Sequence, residues 1–335
     1  MNSWPRSSIH KWLILAALTL LGAVLSLCIG SVAVPLRQVL EALLGGDRAS
    51  AGAKIVIFTR LPRTCAALLA GSALAVSGAV IQTVLHNPLA SPGVMGVNSG
   101  AGLAVAVVCA MSPLAQSWTP LVAFLGAMAA VLLVLGLSQY TGASRMTVVL
   151  AGVAISNLFS AGIDGVVSLV PEALNGVSDF RIGGFSGVTM VRLTPAAVIV
   201  AVAMVGIFAM AIQMDVLALG GDTARSLGLH VGLVRLVLLI FAAALAGAAV
   251  SFGGLLGFVG LIVPHGVRRI FGEESLPLVA GSALGGGFFV TVCDLVARTI
   301  FAPYELPVGV VLAFAGAPFF LWLLFRQRGG KVWSN

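Results

Sequence analysis

The chain has 335 residues, 59% of them hydrophobic and only 9% charged, with a mean hydropathy of +1.11. No soluble domain hides so much apolar surface, so composition excludes a soluble enzyme or binding module and implies a polytopic membrane protein. The net charge of +7 comes from basic residues scattered singly and in pairs, which suits loops beside lipid headgroups better than a nucleic-acid surface.

The apolar runs are continuous and about 20 residues long, so they predict helical spans rather than the alternating strands of a barrel. The opening MNSWPRSSIHKW and the apolar stretch to Gly30 superficially resemble a signal peptide. That stretch is too long for an ordinary h-region, and Leu25–Cys28 lacks the small residue expected before a lipoprotein cysteine, so it reads as an uncleaved first span. Ten spans follow in order: Trp12–Gly30, Leu61–Leu85, Val94–Met111, Thr119–Gln139, Met146–Val170, Leu193–Ile212, Val231–Val250, Gly257–Ile270, Pro277–Val296 and Gly309–Phe325. The expected fold is all-α, one transmembrane domain over residues 1–335 with about ten transmembrane helices. The eighth run, GFVGLIVP, is too short to cross alone and suggests a broken or half-crossing element buried in protein.

Lys and Arg set the expected orientation. With the N-terminus inside, the inner face holds 10 basic residues: Arg6, Lys11, Arg145, Arg225, Arg235, Arg268, Arg269, Arg326, Arg328 and Lys331. The outer face holds 8: Arg37, Arg48, Lys54, Arg60, Arg63, Arg181, Arg192 and Arg298. The margin is thin, and five of the outer charges cluster between Arg37 and Arg63. Both termini are then cytoplasmic and Gly176–Gly187 is outside. A faint repeat supports five plus five spans in opposite orientation: AGSA at Ala70–Ala73 precedes Pro88 by the same offset as AGAA at Ala246–Ala249 precedes Pro264. The 41 glycines mainly imply close helix packing. Cys28, Cys65, Cys109 and Cys293 lie in or beside apolar runs without a CxxC pair, as small buried residues would.

The loop Gln213–Arg235 separates two span-length runs yet does not read as floppy. Leu217, Leu219, Ala224, Leu227 and Leu229 recur near helical spacing, and Gly220–Gly221 divides them. Asp222 stands where an N-cap is favoured. Two short helices are expected, with apolar residues left over either for a protein partner or for lipid headgroups.

No catalytic constellation emerges. His10, His86, His230 and His265 fall at predicted inner ends or loops without HExxH, and there is no GxxxxGK[ST] to cradle nucleotide phosphates. No metal or cofactor is expected. Asp164 and Asp294 are the acids inside predicted spans, both near outer ends, and Arg298 follows Asp294 on the same helical face.

RLPR at Arg60–Arg63, followed by AGSALAVSG at Ala70–Gly78, resembles the second-span signature of FecCD permeases in ABC importers for iron–siderophore, haem and vitamin B12. NPLASPGVMGVNSGAG (Asn87–Gly102), ALGGDTARSLG (Ala218–Gly228), GFVGLIVPHGVR (Gly257–Arg268), and DLVAR followed by ELPVGVVLAFAGAP (Asp294–Pro318) match in the same order. The resemblance implies a bacterial inner-membrane permease without catalytic residues, importing an iron(III)–siderophore complex, or else haem or cobalamin. Implied partners are two cytoplasmic ATPase subunits, a second permease chain and an extracytoplasmic substrate-binding protein. Coupling helices at about 214–230 would dock into the ATPase through Leu217, Leu219, Gly220, Asp222, Ala224, Leu227 and Gly228. Arg60, Arg63 and Arg298 would sit at the outer surface and receive acids of the binding protein. Their local alternative is pairing of Arg298 with Asp294 and anchoring of the RLPR arginines at lipid phosphates. A self-sufficient secondary transporter would need coupling acids at mid-span, and an intramembrane enzyme a His or Cys constellation; the sequence offers neither.

Overall fold

A computed structural model describes residues 6–30, 34–44, 50–111, 118–140 and 145–328; Arg48 and Lys331 lie outside them. The described residues are helical throughout, with short connections. In chain order the helices are α1 (Arg6–Cys28), α2 (Leu36–Leu43), α3 (Ala51–Ile55), α4 (Leu61–Leu85), α5 (Val97–Met111), α6 (Thr119–Tyr140), α7 (Arg145–Leu169) and α8 (Leu174–Ile182). The second half holds α9 (Met190–Ala209), α10 (Ala211–Ala218), α11 (Gly221–Ser226), α12 (Val231–Gly253), α13 (Val259–Phe271), α14 (Ser275–Thr299) and α15 (Val308–Arg328). Among the described residues, seven helical stretches are long and apolar enough to cross a membrane, and Val97–Met111 is a shorter apolar helix. Each of the ten expected spans falls on a helix, but the third and eighth fall on helices too short for a full crossing of about 20 residues, whereas the tenth falls on the 21 residues of α15. The eighth, α13, has only 13 residues and carries Pro264 inside it.

The helices α4, α12 and α14 form the centre. Three-quarters of the α4 span (78%) is buried inside the protein, against 11% for α1 at the periphery. Small residues make this possible. Gly71 of α4 faces Gly286 of α14, and a Cβ on either would fall within the other's backbone carbonyl. A Cβ on Gly78 would likewise fall within the carbonyl of Gly260 of α13, and one on Gly260 would meet Leu74 O at 2.8 Å. Close approach brings side-chain donors of α4 to main-chain oxygens of its neighbours. Ser72 Oγ donates to Ala283 O at 2.7 Å, Ser77 Oγ to Ala242 O at 2.6 Å, and Gln82 Nε2 to Gly260 O at 2.9 Å. In a bilayer such bonds matter because no water competes for the groups.

Sharp stops keep the central helices in register. The last turn of α4 closes on His86 in the left-handed region (φ 49°), with Asn87 N–H donating to Gln82 O at 3.1 Å and Pro88 beyond. At the opposite end of the bundle, Leu255 N–H donates to Phe180 O at 3.0 Å and Gly184 N–H to Gly253 O at 2.9 Å, so the turn after α8 braces the turn after α12. Three surface helices were not anticipated from hydropathy. One of them, α2, buries Val39 and Ala42 at i,i+3 spacing against α3 and the turn that follows it.

Candidate functional site

Two features at opposite ends of α4 carry the functional reading. At about 1.5 Å per residue, its 25 residues separate them by about 37 Å.

At the His86 end, α10 and α11 form the two short helices expected between the sixth and seventh runs. The break between them is Gly220, at φ +108°, a conformation a side chain rarely adopts. Gly220, rather than Asp222, is the residue preceding α11. Asp222 lies inside the first turn and accepts a hydrogen bond from Arg225 Nη1 at 2.8 Å, so the expected N-cap is corrected to a local i,i+3 ion pair. Once Gly220 supplies the entry geometry, the carboxylate is already on the helix and satisfies its own neighbour. The apolar residues divide by role. Leu217 and Ala224 are fully buried, seating the knob on the rest of the protein, whereas Leu219 (64% exposed) and Leu227 (63% exposed) face outward. Gly228, at φ +82°, turns the chain into α12. Of the seven residues expected to meet a partner, Leu217 and Ala224 therefore have no surface to offer one. Beside the knob lies a cavity of ≈ 620 Å³ lined by Gln82, His86, Ala218, His265, Arg268 and Glu273, among others. Arg268 hydrogen-bonds Gln82 Oε1 there, which holds its guanidinium against α4.

At the other end is a buried cluster of charge. Arg63 Nε donates to both carboxylate oxygens of Asp294 at 3.0 and 3.2 Å, and its Nη1 donates to Glu305 Oε2 at 2.5 Å. Arg298 Nε lies 3.2 Å from Asp294 Oδ2, the local pairing anticipated from their spacing. Arg298 Nη2 donates to Ser26 Oγ at 2.7 Å and to Ser26 O at 3.2 Å, and Ser26 Oγ is 2.7 Å from Thr64 Oγ1. Arg60 donates to the carbonyls of Leu27 and Cys28 at 2.9 and 2.7 Å, two of the oxygens that have no partner within α1, and Cys28 O also accepts from Val34 N–H at 3.1 Å. The expectation of three surface arginines is thus corrected. Arg60, Arg63 and Arg298 are only 4%, 6% and 3% exposed. Internal acids and carbonyls replace the water they give up, so none stands out as a bare docking charge. Glu305, one-third exposed, joins this cluster to a groove of ≈ 420 Å³ bounded by Arg63, Asp179 and Pro307.

Sequence reasoning missed Ser26, Thr64 and Glu305 in this cluster and Gln82 and Asp215 near the knob. Glu305 lies inside a quoted motif, so its signal was present; the others show no pattern distinguishing them from packing residues. Asp164 pairs with Arg181 at 3.3 Å on an exposed face, away from both features. Among the described residues no three His, Cys, Asp or Glu come together as a metal site.

The arrangement is a central helix bundle with a protruding apolar knob at one end and a buried ion-pair cluster at the other. The profile of the FecCD transport family matches residues 18–326. The iron(3+)-hydroxamate import system permease of Bacillus subtilis is 36% identical over 313 residues, covering 92% of this chain and 81% of that protein. The hemin transport system permease of Yersinia pestis is 37% identical, over 80% of this chain and 82% of its own. The vitamin B12 import system permease of Salmonella paratyphi A is 36% identical over 95% of both chains. A solved structure described as an inward-facing conformation of a metal-chelate type ABC transporter superposes with a TM-score of 0.82 at 25% identity, over 95% of this chain and 99% of that one.

Proposed function

Because the chain belongs to the FecCD transport family, we propose that it is the membrane permease of an ABC importer for a metal chelate, with an iron(III)–siderophore complex as its cargo. The observation that carries this reading is the α10–α11 knob. Its internal face is sealed by Leu217 and Ala224 while Leu219 and Leu227 stand outward, an arrangement suited to a pocket in a separate ATPase. Lipid headgroups are the weaker alternative, because the knob carries a single basic residue, Arg225, already paired to Asp222. The chain does no covalent chemistry in this scheme. ATP hydrolysis belongs to two partner subunits, whose closure moves the knob and rocks the bundle between outward-open and inward-open states.

The remaining features extend the proposal. Ten crossings with both termini cytoplasmic put the knob inside and the ion-pair cluster outside. The partnerships support an inverted five-plus-five repeat: α4 packs on α14 and α12 on α6, and these pairs exchange when the spans are shifted by five. A second permease chain completes the pathway. A substrate-binding protein docks on the outer face, where Arg63, through its bond to Glu305 at the groove, is the arginine within reach of an incoming carboxylate. The haem and cobalamin relatives keep those cargoes as the second reading.

Reconstitution with the cognate ATPase and binding protein in proteoliposomes tests the function. ATP-dependent uptake of a labelled ferric hydroxamate is the expected result. Uptake driven by an ion gradient with no ATPase present overturns it.

A further inference from the structure

The knob is tied to the bundle by two polar contacts that the family motifs do not explain. The first comes from Asp215 on α10. Helix α14 begins without a side-chain cap of its own: Glu274 precedes it but makes no capping bond. The amide of Ser275, its first residue, donates instead to Asp215 Oδ1 at 2.8 Å, from a residue 60 positions earlier. A carboxylate at that position satisfies an orphan donor and complements the positive end of the helix dipole, so one side chain from the knob serves as the cap of α14. The second contact is His86 Nε2 with Ala218 O, 3.2 Å apart, which joins the end of α4 to the end of α10.

Helices α4 and α14 are in backbone contact at Gly71 and Gly286. Their other ends hold Arg63 and Asp294, joined by the buried ion pair. The knob is therefore linked, through a pair of packed helices, to the outer cluster. The seats of Met214 and Leu217 are fully buried but apolar, and apolar contact has no preferred direction. The Asp215 bond is directional and made to the main chain of α14.

We propose that Asp215 is the positioning residue through which displacement of the α10–α11 knob is delivered to α14, and along α14 to the outer ion-pair cluster. This rests on the permease reading above and adds to it the residue that transmits the stroke. A charge-assisted hydrogen bond is strong enough to carry it, since losing one changes an equilibrium by about tenfold or more.

The test uses the full complex of permease, ATPase and binding protein in proteoliposomes. Spin labels at exposed Leu174 and Thr299, in a chain with its four cysteines replaced, report movement of the outer end of α14. In the parent complex the distance shifts on adding ATP. Asp215→Ala abolishes the shift and lowers transport per ATP hydrolysed about tenfold or more, while the ATPase still co-purifies. Asp215→Asn keeps an accepting oxygen without the charge and restores both readouts in part. Ser275→Pro removes the donor instead of the acceptor. Proline is tolerated at the first helical position, and Glu274 before it already has ψ 136°, so α14 keeps its start. It reproduces Asp215→Ala, and the double variant is no worse than either alone.

A normal distance shift with normal transport per ATP in Asp215→Ala or Ser275→Pro overturns the proposal. So does loss of assembly in Asp215→Asn as well as Asp215→Ala, which makes the residue structural only. A parent complex with no ATP-dependent uptake instead refutes the importer reading itself, and this inference with it.

Discussion

Removing Asp294 leaves two buried arginines contending for what remains. Arg63 keeps Glu305, but Arg298, only 3% exposed, keeps only Ser26. Breaking a buried pair from one side costs about 3–5 kcal/mol, because the stranded charge is neither solvated nor compensated. At 1.4 kcal/mol per factor of ten, Asp294→Ala raises the population of locally opened chains by roughly two to three and a half orders of magnitude. The neighbouring thiol supplies the assay. Cys293 is 6% exposed, so in a chain lacking Cys28, Cys65 and Cys109 its reaction with a maleimide reports opening of this end of α14. With opening and reclosing fast relative to labelling, the rate tracks that population. The double variant Asp294→Ala/Arg298→Met removes the stranded charge and returns most of the loss. A rise in labelling below tenfold for Asp294→Ala refutes the reasoning, as does a double variant no less reactive than the single one.

Other outcomes follow from the same structure. Gly71→Leu drives a side chain into the backbone of Gly286, so folded protein recovered from detergent should fall sharply, whereas Gly221→Ala, with nothing within 4 Å of the added carbon, should leave the yield unchanged. Leu227→Asp should preserve insertion but lower ATPase co-purification or transport per ATP; normal values of both argue against docking through this face. Glu305→Gln loosens Arg63 from its partner at the groove without touching the buried pair to Asp294, so delivery by the binding protein should depend more steeply on salt; an unchanged salt dependence argues against docking through Arg63. An impermeant thiol reagent applied to intact cells should label a cysteine placed at Gly187 and spare one placed at Ser334; the reverse pattern rejects ten crossings with the termini inside.

The spans were legible because membrane crossing is a one-dimensional problem, solved by a continuous apolar run such as Val231–Val250. The short helices α10 and α11 were legible from apolar spacing and the Gly220–Gly221 break. What hydropathy could not show is which charged residues face one another. Arg63 and Asp294 are 231 positions apart, and their encounter depends on how α4 packs on α14. The sequence marked Arg63 as an anomalous outer charge, expected at the surface, and Asp294 as an acid inside a span with Arg298 as its local partner. Folding resolved the anomaly by making each the other's solvent. The N-cap assignment failed for a smaller reason: Asp222 and Gly220 both suit a helix entry, and the required left-handed-side backbone decided for glycine. Asp215 left no signal, since its partner is a backbone amide and any residue but proline can supply one.

The central helix also sets a schedule for biosynthesis. The bonds from Ser72, Ser77 and Gln82 reach oxygens 211, 165 and 178 residues further along. At about 5–20 residues per second, the ribosome needs roughly 8–40 s to deliver those partners after α4 has been made. For that interval α4 must wait with hydroxyls, an amide and Arg63 unmet, in the company of α1 and the early spans alone. Its many small residues are shaped for close contact with α14 and α12, and before those helices arrive they have no matching surface to pack against. The helix that organises the mature bundle is therefore the segment most dependent on a sheltered site during insertion, and chains arrested before α12 should be the ones a membrane protease recognises first.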